Sequence, residues 1–328
     1  PGPVDSWRLD RKDPQVRSEP SMRGRSGTPA AASLADSELS VLWLDAPDRP
    51  KGGRAVEGPL DGDDTADLVI VGAGYTGLWA ALHSLESNPS RSVIVIDAGT
   101  VAGQASGRNG GFVSASLTHG LANGLARFGR DIDATLAAGR ANFAGLVADV
   151  QRYGIDAGLE HNGALAVATE PWCVPGVAAA ATLARSHGED VECLDGEGIR
   201  AMIDSPTFLS GAWTRTGEAL VDPARLGWGL ADAVRSMGGR ICERTTMTGI
   251  ERHGAGVAVQ TDRGRIVGSA AVLATNAFRS PIRATSGRRW RAVGVSWTST
   301  RTRSPWRRRW AGRRSSATSF AQCRAAAH

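Results

Sequence analysis

Two short runs, DLVIVG (67–72) and SVIVID (92–97), are almost continuously apolar instead of alternating with polar residues. Strands buried on both faces carry this pattern; strands with one wet face do not. Between the runs, the residues from Tyr75 to about Glu86 fit a helix that SNPS (87–90) ends, so this region predicts a strand–helix–strand unit. Further on, Ile132, Leu136, Phe143, Leu146, Val147, Val150 and Tyr153 recur at helical spacing and predict a long helix over 130–153 with a core-facing stripe. LEHNGALAVATE (159–170) reads as a strand and 177–186 as a helix. DPARLGWGLADAVRSMGG (222–239) reads as a helix with Asp222 as N-cap, Pro223 at its first position and Gly238 at its stop. Five short strands follow, RICE, MTGIER, GVAVQTD, GRIVG and AAVLAT. The periodicity fades at both ends. Residues 1–40, rich in Pro, Ser, Arg, Asp and Ala, predict a disordered segment. The apolar patch SVLWLDAPDRP (40–50) is expected to dock on the body.

The 328 residues suffice for two domains and a sizeable core, and 41% hydrophobic content is that of an ordinary globular chain. No apolar run reaches the ~18 residues of a membrane span. With no apolar leader at the first residues, a cytoplasmic location is the expectation. Cys173, Cys193, Cys242 and Cys323 lack metal-ligand or redox spacing and read as reduced thiols, so no metal is expected. The net charge of +5 hides a split. Residues 279–328 hold 13 Arg and no acid; subtracting those thirteen leaves −8 for residues 1–278.

The chemistry begins at VGAGYTG (71–77), which follows the first buried strand and opens the first helix. Gly72 permits the tight turn, Gly74 lets the backbone approach a pyrophosphate, and Gly77 lets helix and strand pack closely. The N–H groups and positive dipole end of the helix then face the phosphates. Asp97, 25 residues past Gly72 at the end of the second run, is placed to accept hydrogen bonds from a ribose diol, with Ala98 beside it. A lone G-x-G-x-x-G is weak; strand, helix, second strand and terminal acid together point to dinucleotide binding. The chain then enters AGTVAGQASGRNGGFVSA (98–115) instead of a further strand–helix pair. Such a small-residue loop with Arg108, Asn109, Gly110 and Gly111 suits an extended cofactor; a plain Asn-Gly turn is the alternative.

At this point VIVGAGYTGLWAA, VIVIDAG, GQASGRNGGF, LVDPARLGWGLADAV, ERTTMTGIE and VLATNAF, in this order, resemble the FAD-dependent D-amino-acid-oxidase-like superfamily, in the branch of gamma-glutamylputrescine oxidoreductases and related amine or sarcosine oxidases. The resemblance covers roughly residues 40–281. It implies a mixed α/β fold, a Rossmann-type FAD-binding domain with a second, mainly β substrate domain, C-terminally incomplete. The FAD-binding segments would be about 66–120 and 220–278, and the substrate-domain segments about 155–219, within an oxidoreductase domain at 41–281. It further implies that Gly72, Gly74, Tyr75, Thr76 and Gly77 hold the FAD pyrophosphate and that Asp97 binds the adenosine ribose. Arg108, Asn109, Gly110 and Gly111 would lie along the pyrophosphate and flavin, Met247 would present its backbone to the adenine, and Ala274, Thr275 and Asn276 would return to the cofactor. The implied reaction is oxidation of a C–N bond of a small amine or amino acid, followed by imine hydrolysis. No catalytic residue is nominated; His119, His161, His187 and His253 stand isolated in the sequence.

The resemblance stops near Pro281. Residues 282–328 have no apolar period, and Trp290, Trp297, Trp306 and Trp310 are scattered among the arginines. A solvated tail, a nucleic-acid- or membrane-binding tail and an out-of-frame reading of a GC-rich gene are the three readings. The third fits the composition best, makes nucleic acid the weakest partner and predicts a disordered tail with impaired activity. A non-catalytic FAD-binding remnant is the alternative function.

Overall fold

The computed structural model describes residues 41–45 and 58–276. The expectations for 1–40 and for the 282–328 tail lie outside these residues. A helical turn at Leu42–Asp45 (α1) precedes strand Asp64–Val71 (β1), helix Tyr75–Ser87 (α2) and strand Val93–Ile96 (β2). Both apolar runs are strands and the intervening helix starts at Tyr75, as the pattern predicts. β1 and β2 pair in parallel, Leu68 opposite Val93 through Val71 opposite Ile96.

The continuous apolar character has a direct cause: both faces of this sheet are covered. Ile70, Val93 and Val95 enter one core cluster with Leu78, Leu82 and Leu85 of α2. Val69, Val71, Ile94 and Ile96 enter a second cluster on the opposite side, with Leu60, Val259 and Ile266. Helix Pro223–Ser236 (α7) joins the first cluster through Leu226, Leu230 and Val234. Its N-cap is as expected: Asp222 Oδ1 accepts from the N–H groups of Ala224 and Arg225, each at 3.0 Å. Beyond its end Gly238 takes φ +88°, the left-handed geometry of a helix stop.

The sheet is completed from far along the chain. Arg240–Cys242 (β8) pairs parallel to β2, and Gly264–Leu273 (β11) pairs parallel to β1. Met247–His253 (β9) and Gly256–Thr261 (β10) extend it as an antiparallel meander, giving the order β8-β2-β1-β11-β10-β9. The expected separate strands GRIVG and AAVLAT are corrected to the single strand β11; Ser269 does not break it because β1 pairs alongside from Asp64 to Val71.

Between β2 and α7 the chain builds a second region. Phe112–Ser114 (β3) pairs antiparallel with Glu218–Leu220 (β7). Ala164–Ala168 (β4), Val191–Leu194 (β5) and Ser210–Thr214 (β6) form a three-stranded antiparallel sheet in the order β4-β6-β5. Helices Leu121–Phe128 (α3), Ile132–Arg152 (α4), Val174–Ser186 (α5) and Gly196–Met202 (α6) accompany them. α4 is the predicted long helix, and it buries Ile132, Leu136, Phe143 and Val150 from the predicted stripe. α5 begins at Val174, three residues before the expected start, with Pro175 in its first turn.

Candidate functional site

The tips of β1, β2 and β11 and the N-terminus of α2 meet at one end of the parallel sheet. Gly72 turns the chain at φ +111°. A Cβ there would lie 2.5 Å from the Ala274 carbonyl oxygen, and a Cβ on Gly77 only 1.8 Å from that of Gly72. Both glycines are therefore demanded by backbone approach, as the motif predicts. A Cβ on Gly74 would meet Ser106 Oγ at 2.9 Å, so the loop after β2 lies directly over the helix N-terminus. Ser106 Oγ also accepts from the Tyr75 N–H at 3.0 Å. Thr76, next in the turn, is half-buried.

Asp97 sits at the end of β2 and clasps two loops. Its Oδ2 accepts from the Ala73 N–H at 2.7 Å and its Oδ1 from the Gly99 N–H at 2.8 Å. Asp97 thus holds the glycine turn to the second strand, a structural duty beyond the expected ribose contact. Ala98 beside it is exposed. The backbone of 97–99 also bonds to Cys242, Arg244 and Thr245, which brings the chain after β8 to the same place. Met247 lies two residues on, with its side chain buried in the second core cluster. The buried Glu243 supports this corner by accepting from the Val101 N–H at 2.7 Å.

The Arg-Asn-Gly-Gly loop is fixed from within. Asn109 Nδ2 donates to the carbonyls of Ala105 and Ser106, and its Oδ1 accepts from the Gly111 N–H at 2.9 Å. Arg108 Nε donates to the Gly103 carbonyl and its side chain is exposed. Gly110 is exposed, whereas Gly111, at φ +77°, leaves no room for a Cβ against the Val221 carbonyl. The sequence-predicted docking of the apolar patch is seen at α1: Trp43 Nε1 donates to the Asn109 carbonyl at 2.8 Å.

Tyr75 ties these parts together. Its hydroxyl donates to the Pro223 carbonyl at 2.8 Å, joining α2 to α7. Burial raises its phenol well above the ordinary value, a hydrogen bond from Asn109 opposes this, and the charge of Asp222 adds to it. Ala274, whose N–H bonds to the Val71 carbonyl, completes the end of the sheet beside Gly72, and Thr275 and Asn276 follow it in the chain, Asn276 at φ +52°. The structure therefore brings together the 72–77 turn, Asp97, the 106–111 loop and Ala274. Sequence reasoning missed Ser106, whose only signal was its place in a small-residue loop. It also missed the β3–β7 ribbon, whose strands span three residues each.

This arrangement fits the phosphates and ribose of an extended dinucleotide: two glycines without space for side chains, a helix N-terminus and a carboxylate at the second strand tip. The Escherichia coli protein Gamma-glutamylputrescine oxidoreductase is 28% identical over 215 residues, 65% of this chain and 50% of its own length. A Probable oxidoreductase OrdL from Rhizobium meliloti is 28% identical over 253 residues, covering 72% and 54%. The chain thus spans about half the length of these curated relatives. Glycine oxidase from Geobacillus kaustophilus shares the fold at a TM-score of 0.56 and 24% identity over 65% of this chain and 56% of that one. An L-amino acid deaminase from Proteus vulgaris does so at 0.55 and 20%, over 70% and 58%. Residues 67–317 match the family described as FAD dependent oxidoreductase, which is most of the chain, and the protein belongs to that family, whose cofactor is FAD.

Proposed function

We propose that this chain serves oxidation of the C–N bond of a small amine or amino acid. The observation that carries the reading is the convergence of the Gly72–Gly77 turn, Asp97 and the Ser106–Gly111 loop at one end of the sheet. The family match and the name of the Escherichia coli relative support the amine as substrate.

In this reading the turn of Gly72, Gly74, Tyr75, Thr76 and Gly77 holds the pyrophosphate: Gly72 through the close backbone approach it permits, and Gly74, Thr76 and Gly77 through N–H groups at the start of α2, while the N–H groups of Gly72 and Tyr75 stay on the Ile96 carbonyl and Ser106 Oγ. Asp97 accepts from the ribose with the lone pairs that Ala73 and Gly99 leave, Ala98 flanks it, and Met247 marks the adenine side. Arg108 supplies positive charge beside the phosphates, Asn109 shapes the loop, and Gly110 and Gly111 run toward the flavin, with Ala274, Thr275 and Asn276 closing the near edge. When bound, FAD supplies the electron acceptor for the C–N bond. The protein contributes position and exclusion of water.

Two measurements test this. The purified protein should carry a flavin absorption spectrum, and oxygen uptake or dye reduction should follow addition of gamma-glutamylated or simple amines. Tight binding of a nicotinamide dinucleotide with no flavin would overturn the cofactor assignment; flavin without turnover would reduce the chain to an FAD-binding remnant.

A further inference from the structure

The β3–β7 ribbon begins directly after Gly111 and has two unlike faces. Val113 and Ala219 point inward, against the first core cluster and buried respectively. Residues opposite one another in an antiparallel pair share a face, as do alternate residues in a strand. Phe112 opposite Leu220 and Ser114 opposite Glu218 therefore share the other face. Its near end is apolar and open: Phe112 is 81% exposed and Leu220 42%. Its far end, two residues or about 7 Å along the strand, is a carboxylate. Glu218 Oε1 accepts from Ser114 Oγ at 2.7 Å, while the other oxygen has no hydrogen bond among the described residues. Nor has Glu218 a salt bridge among them; nearby Arg215 is engaged by Asp190 and Glu192. Glu189 adds a second negative charge close to Glu218.

An exposed aromatic–aliphatic pair beside the cofactor loop is a surface for methylene groups. A half-buried acid without a cation beyond it is a surface for an ammonium group. Resting on the amine reading above, we propose that this ribbon face binds the body and distal end of a diamine-type substrate. Phe112 and Leu220 take the alkyl chain, and Glu218, oriented by Ser114, takes the second ammonium group. Charge complementarity selects this occupant: the same face would repel the carboxylate of a simple amino acid.

The test is a calorimetric titration of the full chain with FAD added, using 1,4-diaminobutane and n-butylamine as probes. The protein should prefer the diamine. E218Q, which keeps shape and removes charge, should lower diamine affinity about fivefold, near the upper end for an exposed ion pair, and leave n-butylamine unchanged. F112A should weaken both amines. An unchanged ratio of diamine to monoamine affinity in E218Q overturns this inference and leaves the amine reading standing. Failure of both amines to bind overturns this inference and leaves only an amino acid as substrate in the reading above.

Discussion

The sheet end that carries Gly72, Gly77 and Asp97 and the β3–β7 ribbon adjoin the same loop, yet they are built in opposite ways. At the sheet end every position is forced: backbone meets backbone at Gly72 and Gly77, and both Asp97 oxygens accept main-chain N–H groups. On the ribbon, large apolar side chains stand in solvent and a carboxylate has one oxygen without a partner among the described residues. A cofactor that stays can be met by a rigid, preformed cradle. In the proposed reading, a substrate that must leave is met by a surface whose groups keep their interactions for it.

The sharpest way to break this contrast is Gly77→Ala. The added Cβ would lie 1.8 Å from the Gly72 carbonyl oxygen, which the turn cannot move without separating β1 from α2. Overpacking against backbone should cost about 3 kcal/mol or more. Urea unfolding should show that loss, and flavin binding should vanish with it. A well-folded, flavin-loaded Gly77→Ala protein would mean that the turn is not forced at all.

Asp97→Ala comes next. Its removal strips acceptors from the Ala73 and Gly99 N–H groups and, in the proposed reading, from the ribose as well. FAD affinity should fall by about 1–3 kcal/mol, with a stability loss in the protein without flavin of similar order. Titration and urea unfolding separate the two. Unchanged affinity with lowered stability would leave Asp97 a purely structural clasp.

These two residues also show what the sequence makes legible. The strand, turn, helix and terminal acid lie within about thirty residues, and each local signal agrees with the next. Asp222 was legible for the same reason, since a cap bonds within its own helix. The β3–β7 ribbon was not: its pairing joins Phe112 to Leu220 across more than a hundred residues, and three-residue strands show no period. Helix α6 was hidden because Gly196 and Gly198 dilute its first turn, although Asp195 caps it by accepting from the Glu197 and Gly198 N–H groups. Ser106 becomes a site residue only because the loop folds back over α2.

Tyr75→Phe tests the join between cradle and neighbour. It removes the hydroxyl that donates to the Pro223 carbonyl and leaves that oxygen in a site where water is scarce. The expected cost is about 1 kcal/mol in urea unfolding. Flavin affinity should fall only slightly, because the backbone of the turn is unaltered. A loss as large as that of Asp97→Ala would place the phenol within the cradle itself.

The smallest effect is expected on the ribbon, and its sign is diagnostic. Burial raises the Glu218 carboxyl above its ordinary value; the Ser114 hydrogen bond opposes this and Glu189 reinforces it. A raised folded-state value means that the folded protein holds this proton more tightly than the unfolded chain. The associated stabilisation is fully present below the ordinary value of 4.5 and is lost as pH rises through the raised one. Relative to Glu218→Gln, the unaltered protein should therefore lose stability from about pH 4.5 toward neutrality, as urea midpoints at both ends would show. A diamine that engages the carboxylate should lower its proton affinity and recover part of that loss at neutral pH, because a ligand stabilises the state it binds. A cradle residue with its partners already in place would show neither response. If the difference between the two proteins stays flat with pH, or widens in the opposite direction, the ribbon's carboxylate is already satisfied and the contrast between the two regions loses its electrostatic half.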